Sequence, residues 1–170
     1  RTDGGAAVGS RSDEGAARFG DAHNIRGRHG SYESLARDES LDIVYVATPS
    51  MRHVDDSLLC LEAGRHVLCE KAMAPSLQEA KRVVDKAVAE DRFFLHGVWS
   101  RFFPAMAENR KTLQSGIIGD VYAAHASCGQ NDGAGQASAT LETGIYCAQF
   151  LQWAFDGDAP EAVEGVSYSL

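Results

Sequence analysis

Four short stretches place polar or charged residues directly behind apolar runs: Ser10-Arg11, Thr48-Pro49, Glu70-Lys71 and Trp99-Ser100-Arg101. Glu70-Lys71 follows His66-Val67-Leu68-Cys69. A carboxylate and an ammonium at the end of a buried strand are costly to desolvate unless paired, which makes the position a candidate site, although the pattern also fits a solvated strand end. His53 stands at the start of a helical stretch, where it either contacts a ligand or is merely solvated. Cys69 and Cys147 have no sequence neighbour that would favour a thiolate, so packing accounts for them better than nucleophilic chemistry. Taken alone, Tyr146 beside Gly144 and Ile145 reads as core. No His, Cys or carboxylate cluster has metal-binding spacing and no serine sits in a G-x-S-x-G elbow, so no metal site and no serine nucleophile are expected.

The elements that must hold these residues follow from periodicity. Leu41 to Thr48 is a nearly continuous apolar run with β-branched residues, as in a parallel strand covered on both faces. A helical stripe with Val54, Leu58, Leu59 and Leu61 follows, with Gly64 to end it. His66 to Glu70 is the next strand. Ser76 and Glu79 have capping-box spacing ahead of Leu77, Ala80, Val83, Val84, Ala87 and Val88 at helical period. Arg92 to Val98 reads as a strand, Pro104 to Gln114 as a helix closed at Gly116, Val121 to Ala126 as a strand, and Thr140 to Phe155 as a helix. Ala6 to Ser10 adds a short strand before a helix over Glu14 to Phe19. Such alternation predicts an α/β fold with a doubly wound parallel sheet, whose ligands bind beyond the carboxyl ends of the strands. Ser10-Arg11 then sits where an arginine suits the 2′-phosphate of NADP, although a surface arginine needs no such role. The sequence contains no G-x-G-x-x-G, so the first strand and glycine loop of a dinucleotide-binding unit are expected to be missing, and both ends read as cut.

Composition narrows the classes further. With 16 basic against 24 acidic residues the net charge is -8, which argues against a nucleic-acid partner. The four cysteines form no C-x-x-C pair, as in a reducing, cytoplasmic setting. No leader and no apolar run of membrane-spanning length is read. A signalling module of receiver type would share the α/β alternation, but no strand end offers it a convincing phosphate-accepting acid.

Thr48-Pro49 with His53, then Ala63-Gly64-Arg65-His66-Val67-Leu68-Cys69-Glu70-Lys71, resembles the T-P-x-x-x-H and A-G-K-H-V-x-x-E-K-P signature of the glucose-fructose oxidoreductase and inositol dehydrogenase (Gfo/Idh/MocA) family. Val98 to Pro104 and Gly144 to Phe150 look like the branch that contains dimeric dihydrodiol dehydrogenase, also an NADP-dependent D-xylose dehydrogenase. The resemblance implies an incomplete Rossmann domain over residues 1–98 and the start of an α+β substrate and oligomerisation domain with an open sheet over 99–170. It implies hydride transfer to NADP, less so NAD, from a vicinal diol such as a trans-dihydrodiol or from the C1 hydroxyl of an aldose such as D-xylose. Lys71 and Tyr146 match the catalytic pair, and an ammonium near a phenol favours its anion as a base. Ser10, Arg11, Thr48, Pro49, His53, Glu70, Lys71, Trp99 and Arg101 match cofactor-binding positions. Trp99, Arg101, Phe102, Glu142 and Tyr146 match substrate-binding positions. A homodimer or higher homo-oligomer is implied as well.

The match has departures. Ala72 stands in place of the family proline, so the Lys71–Ala72 bond is expected to be trans. Glu142 replaces an aspartate, and Ala137-Ser138-Ala139 replace glycines. The alternative to an active dehydrogenase is a catalytically inactive remnant that serves only for binding or oligomerisation.

Overall fold

In the computed structural model, residues 5–129 and 139–166 are described. The chain divides into two compact units, residues 1–97 with 134–142, and residues 98–133 with 143–170.

The first unit alternates strand and helix: β1 (Ala7–Gly9), α1 (Asp13–His23), β2 (Gly27–His29), α2 (Tyr32–Ala36), β3 (Ile43–Val46), α3 (His53–Glu62), β4 (His66–Glu70), α4 (Leu77–Ala89) and β5 (Phe94–Gly97). Every ladder is parallel, β1 with β2, and β3 with β4 and β4 with β5. The fold is the expected Rossmann-like α/β type. Its strands form a two-stranded and a three-stranded sheet, with no ladder joining β1 to β3 among the described residues. Helix starts are set by serines: Ser12, Ser31 and Ser76 have extended backbones, and each hydroxyl accepts an amide N–H from the first turn. The capping box at α4 is half made. Ser76 Oγ accepts from the Glu79 amide at 3.2 Å, while the Glu79 carboxylate accepts from Arg82 Nη1 at 2.6 Å. Gly64 ends α3 with φ of 78°, and the Arg65 amide reaches back to the Cys60 carbonyl at 2.9 Å.

The core lies where α3 packs on β3 and β4, and α4 packs against α3. Val44, Val46, Val67 and Cys69 meet Leu61, Cys60, Val83 and Ala87 there. Cover on both faces of β3 was expected, and the structure corrects this: Val44 and Val46 are buried, but Ile43 and Tyr45 are 55% and 56% exposed. The α3 and α4 layer takes one face only. Of the apolar stripe on α4, Val83 and Ala87 are buried whereas Leu77, Val84 and Val88 are exposed, because a single neighbouring helix covers a narrow arc.

The second unit contains a 3₁₀ turn at Trp99–Phe102, α5 (Pro104–Gln114) and α6 (Ile145–Ala154), and a π-helical turn at Thr140–Gly144 precedes α6 along the chain. The predicted strand near Val121 to Ala126 does not form. Among the described residues no backbone pairs with that stretch, and a lone strand leaves its N–H and C=O groups without partners. Residues 130–138, among them Ala137 and Ser138, and the chain's last four residues lie outside the described residues.

Leu61, fully buried between α3 and the sheet, tests this layering. Leu61→Ala should lower unfolding free energy by about 2–5 kcal/mol in a denaturant titration. Val88→Ala, at a side chain 76% exposed, should change it by less than about 0.5 kcal/mol.

Candidate active site

A parallel sheet sends its strands out at one edge, and here β3 delivers Thr48 and Pro49 while β4 delivers Glu70 and Lys71. Each polar group at this edge has a defined partner. The Glu70 carboxylate accepts from Tyr45 Oη at 2.5 Å through one oxygen and from the Lys71 amide at 3.1 Å through the other. The bond to Glu70, reinforced by burial, pushes the Tyr45 phenol up to about 12. Lys71 Nζ donates to Glu142 twice, to Oε2 at 2.8 Å and to the backbone carbonyl at 3.0 Å, with both side chains about one-fifth exposed. Lys71 holds the Glu142 carboxyl below the ordinary glutamate value, burial opposes this, and a hydrogen bond from Ser50 adds to the lowering.

His53, at the first position of α3, is 1% exposed. Its Nδ1 lies 2.7 Å from the Ala72 carbonyl and its Nε2 lies 2.7 Å from the Thr48 carbonyl. Both ring nitrogens are thus engaged by backbone carbonyls of the chain. The Thr48 hydroxyl donates to buried Asp56 at 2.8 Å, and Arg52 Nη2 donates to the other oxygen of that carboxylate at 2.6 Å. The Lys71–Ala72 peptide is cis, which corrects the expected trans bond. The Ala72 methyl is buried and its carbonyl is held by His53, so tertiary contacts set the local geometry. At the end of β1, the Ser10 amide donates to the His29 carbonyl at 3.0 Å, and Arg11 is exposed.

In the second unit, three successive residues of the 3₁₀ turn meet three successive turns of α6. Trp99 Nε1 donates to Tyr146 Oη at 2.7 Å, Ser100 Oγ donates to Gln149 Oε1 at 3.2 Å, and the Arg101 guanidinium lies 5.5 Å from the Trp153 ring centre. Arg110 lies at the same distance from that ring. Among the described residues Arg101 Nε and Gln149 Nε2 are buried without a hydrogen-bond partner, whereas Phe102 is largely exposed. Lys71 and Glu142 thus meet in the first unit, and Trp99, Arg101 and Tyr146 are grouped in the second.

Sequence reasoning missed Asp56, Arg52, His96 and Gln149. The Arg52/Asp56 pair has the i,i+4 spacing that could have exposed it, while His96 and Gln149 carry no local signal. Burial pushes Cys60 up to about 12 and Cys69 up to about 11, so both are protonated thiols that pack rather than react. Among the described residues no group of His, Cys, Asp and Glu is placed to share a metal ion, and no helix is long and apolar enough to cross a membrane.

Residues 5–97 match the model of a family described as an oxidoreductase family with an NAD-binding Rossmann fold, GFO_IDH_MocA. The chain belongs to this family. Beyond the Gfo/Idh/MocA match, it is 37% identical over 168 residues to trans-1,2-dihydrobenzene-1,2-diol dehydrogenase of Bos taurus, covering 94% of this chain and 50% of that protein. The Mus musculus protein of the same name is 39% identical with the same coverage. The chain therefore spans about half the length of these curated relatives. Among solved structures it is similar to myo-inositol dehydrogenase of Lactobacillus casei in complex with NAD(H) and myo-inositol, with TM-score 0.79, 25% identity, and coverage of 88% of this chain and 46% of that one. It is also similar to a 3-ketoreductase of Actinomadura kijaniata in complex with NADP, with TM-score 0.60, 26% identity, and coverage of 67% and 36%.

The Lys71–Glu142 pair has a defined pH window. A folded-state carboxyl pKa below the unfolded value contributes stability that is complete above about pH 4.3 and is lost as pH falls through the depressed folded value. A ¹³C carboxyl titration should show Glu142 ionised to below the ordinary range, and Lys71→Met should move its midpoint upward. An ordinary midpoint in the unsubstituted protein would remove the pair.

Proposed function

We propose that this chain carries the nucleotide-binding and catalytic part of an NADP-dependent dehydrogenase that oxidises a vicinal diol, such as a trans-dihydrodiol, or the C1 hydroxyl of an aldose such as D-xylose. The observation that carries this reading is Lys71, held by Glu142 at the carboxyl edge of a parallel sheet in a chain that belongs to an NAD-binding oxidoreductase family. Similarity to dihydrodiol dehydrogenases through both units supports the substrate class.

The residues present fit a nicotinamide dinucleotide in part. The exposed Arg11 guanidinium beside Ser10 has the donor chemistry for a ribose phosphate. Thr48, His53 and Glu70 are engaged within the chain and would shape the cofactor side of the edge through the backbone they hold. When bound, a nicotinamide supplies the hydride acceptor. Tyr146 would take the proton of the substrate hydroxyl at its phenol oxygen. An indole N–H can only donate, so Tyr146 Oη accepts from Trp99, and the phenol in its deprotonated form would be the one that takes the proton. Lys71 would hold positive charge beside the reacting oxygen, with Glu142 limiting its freedom. The buried donors Arg101 Nε and Gln149 Nε2 suit the acceptor oxygens of a polyol. An oligomer and a reducing, cytoplasmic setting accompany this reading; the four cysteines are free.

Titration with NADPH, followed by its fluorescence, should show binding on the order of micromolar, in the range usual for enzyme ligands. Arg11→Ala should weaken NADP more than NAD. Equal losses would overturn the NADP preference, and no binding at all would leave the inactive remnant. Where turnover is measured, Tyr146→Phe should lower it by about 10²–10⁴-fold with cofactor affinity unchanged, the scale of a lost general base.

A further inference from the structure

The peptide group joining Ala72 to Met73 is gripped at both of its polar ends by imidazoles from different elements. Its carbonyl lies 2.7 Å from Nδ1 of His53, at the start of α3. Its N–H donates to Nε2 of His96, on β5, at 3.2 Å. The two histidines therefore have opposite tasks. A carbonyl only accepts, and His53 faces one with each ring nitrogen, the second being Thr48 at 2.7 Å, so each nitrogen must present an N–H. A backbone amide only donates, so Nε2 of His96 must present a lone pair.

We infer that His53 and His96 are positioning residues for Lys71, His53 carrying a proton on both ring nitrogens and His96 accepting at Nε2, so that the Ala72–Met73 peptide, one residue past Lys71, is held at both of its polar ends. The inference rests on the catalytic reading of Lys71 only for its purpose; the geometry stands without it. A cationic ring that is 1% exposed needs counter-charge. Asp56 is buried one turn along the same helix. Arg52, exposed on the same segment, is taken up by Asp56. Hydrogen bonds at both ends of one peptide polarise it in the same sense and strengthen each other. With the backbone on either side of Lys71 held, through its own amide by Glu70 and through the 72–73 peptide by the histidines, its side chain is aimed at Glu142.

The test needs neither cofactor nor turnover, so its failure is distinct from failure of the dehydrogenase reading. In the 170-residue protein labelled with ¹⁵N at histidine, long-range proton–nitrogen spectra at pH 7 should show two protonated ring nitrogens for His53. They should show an unprotonated Nε2 for His96, each ring being assigned by its loss in His53→Phe or His96→Phe. An unprotonated nitrogen on His53, or a protonated Nε2 on His96, overturns the inference. In His96→Phe the Met73 amide should exchange with solvent about tenfold faster, as expected for one lost hydrogen bond. Amides of α4 should keep their rates, and the Glu142 carboxyl midpoint should rise as Lys71 is released. His96→Gln, whose side-chain carbonyl can accept, should restore both. A uniform change across α4 and Met73, an unmoved Glu142 midpoint, or no rescue by glutamine would show that His96 packs without positioning Lys71.

Discussion

The parallel register of β3 against β4 is the constraint on which the candidate site depends. Val46 lies opposite Cys69, so the residues that follow each strand leave the sheet together, and Thr48 comes within reach of the segment that carries Lys71. The register is fixed by what it buries. Val44, Val46, Val67 and Cys69 all face α3 and Leu61, and a slip of β4 by one residue would exchange Val67 and Cys69 for Leu68 and Glu70. Leu68 is as apolar as Val67, so the shifted pairing would be opposed chiefly by the burial of the Glu70 carboxylate.

Polar satisfaction does at the edge what apolar burial does in the core. Thr48 bonds to Asp56 with its hydroxyl and to His53 with its carbonyl, Glu70 uses both oxygens, and Lys71 meets Glu142. Buried polar groups with complete partners specify one arrangement, because moving any member strands another. The segment after β4 is thereby ordered by interactions that span β3, α3 and β5, and its geometry is not set by local preference. That is the physical reason the Lys71–Ala72 bond differs from what its two residues alone would suggest.

The same division separates what was legible in the sequence from what was not. Strands β3 and β4 and helices α3, α4 and α5 could be read because runs such as Ile43-Val44-Tyr45-Val46 and stripes containing Val83 and Ala87 carry their own period. Strand β2, three residues with Arg28 exposed at its centre, has no period to detect, and α2 is one turn and a half. The chemistry-bearing positions were found by standing next to those strands, as Lys71 does, and by resemblance, which supplied Glu142 and the role of Tyr146. Their partners were hidden because His96 and Gln149 act across distances of 23 and 49 residues, on Met73 and Ser100. Exposure of one face of β3 was also hidden, since Ile43 and Tyr45 are as apolar as their buried neighbours.

The family description matches residues 5–97, whereas identity to the dihydrodiol dehydrogenases covers 94% of the chain. The more specific likeness therefore draws on residues that the broader one does not touch, among them the second unit's Trp99, Ser100 and Arg101 and their partners on α6. Those partners, Tyr146, Gln149 and Trp153, are spaced by three and four residues and so share one helix face. Turning α6 by one residue would break all three contacts at once, so Tyr146 is oriented by the whole face. Placement of the phenol and placement of the ammonium are thus two separate achievements of the fold, one by an aromatic and polar helix face, the other by a clamped strand end.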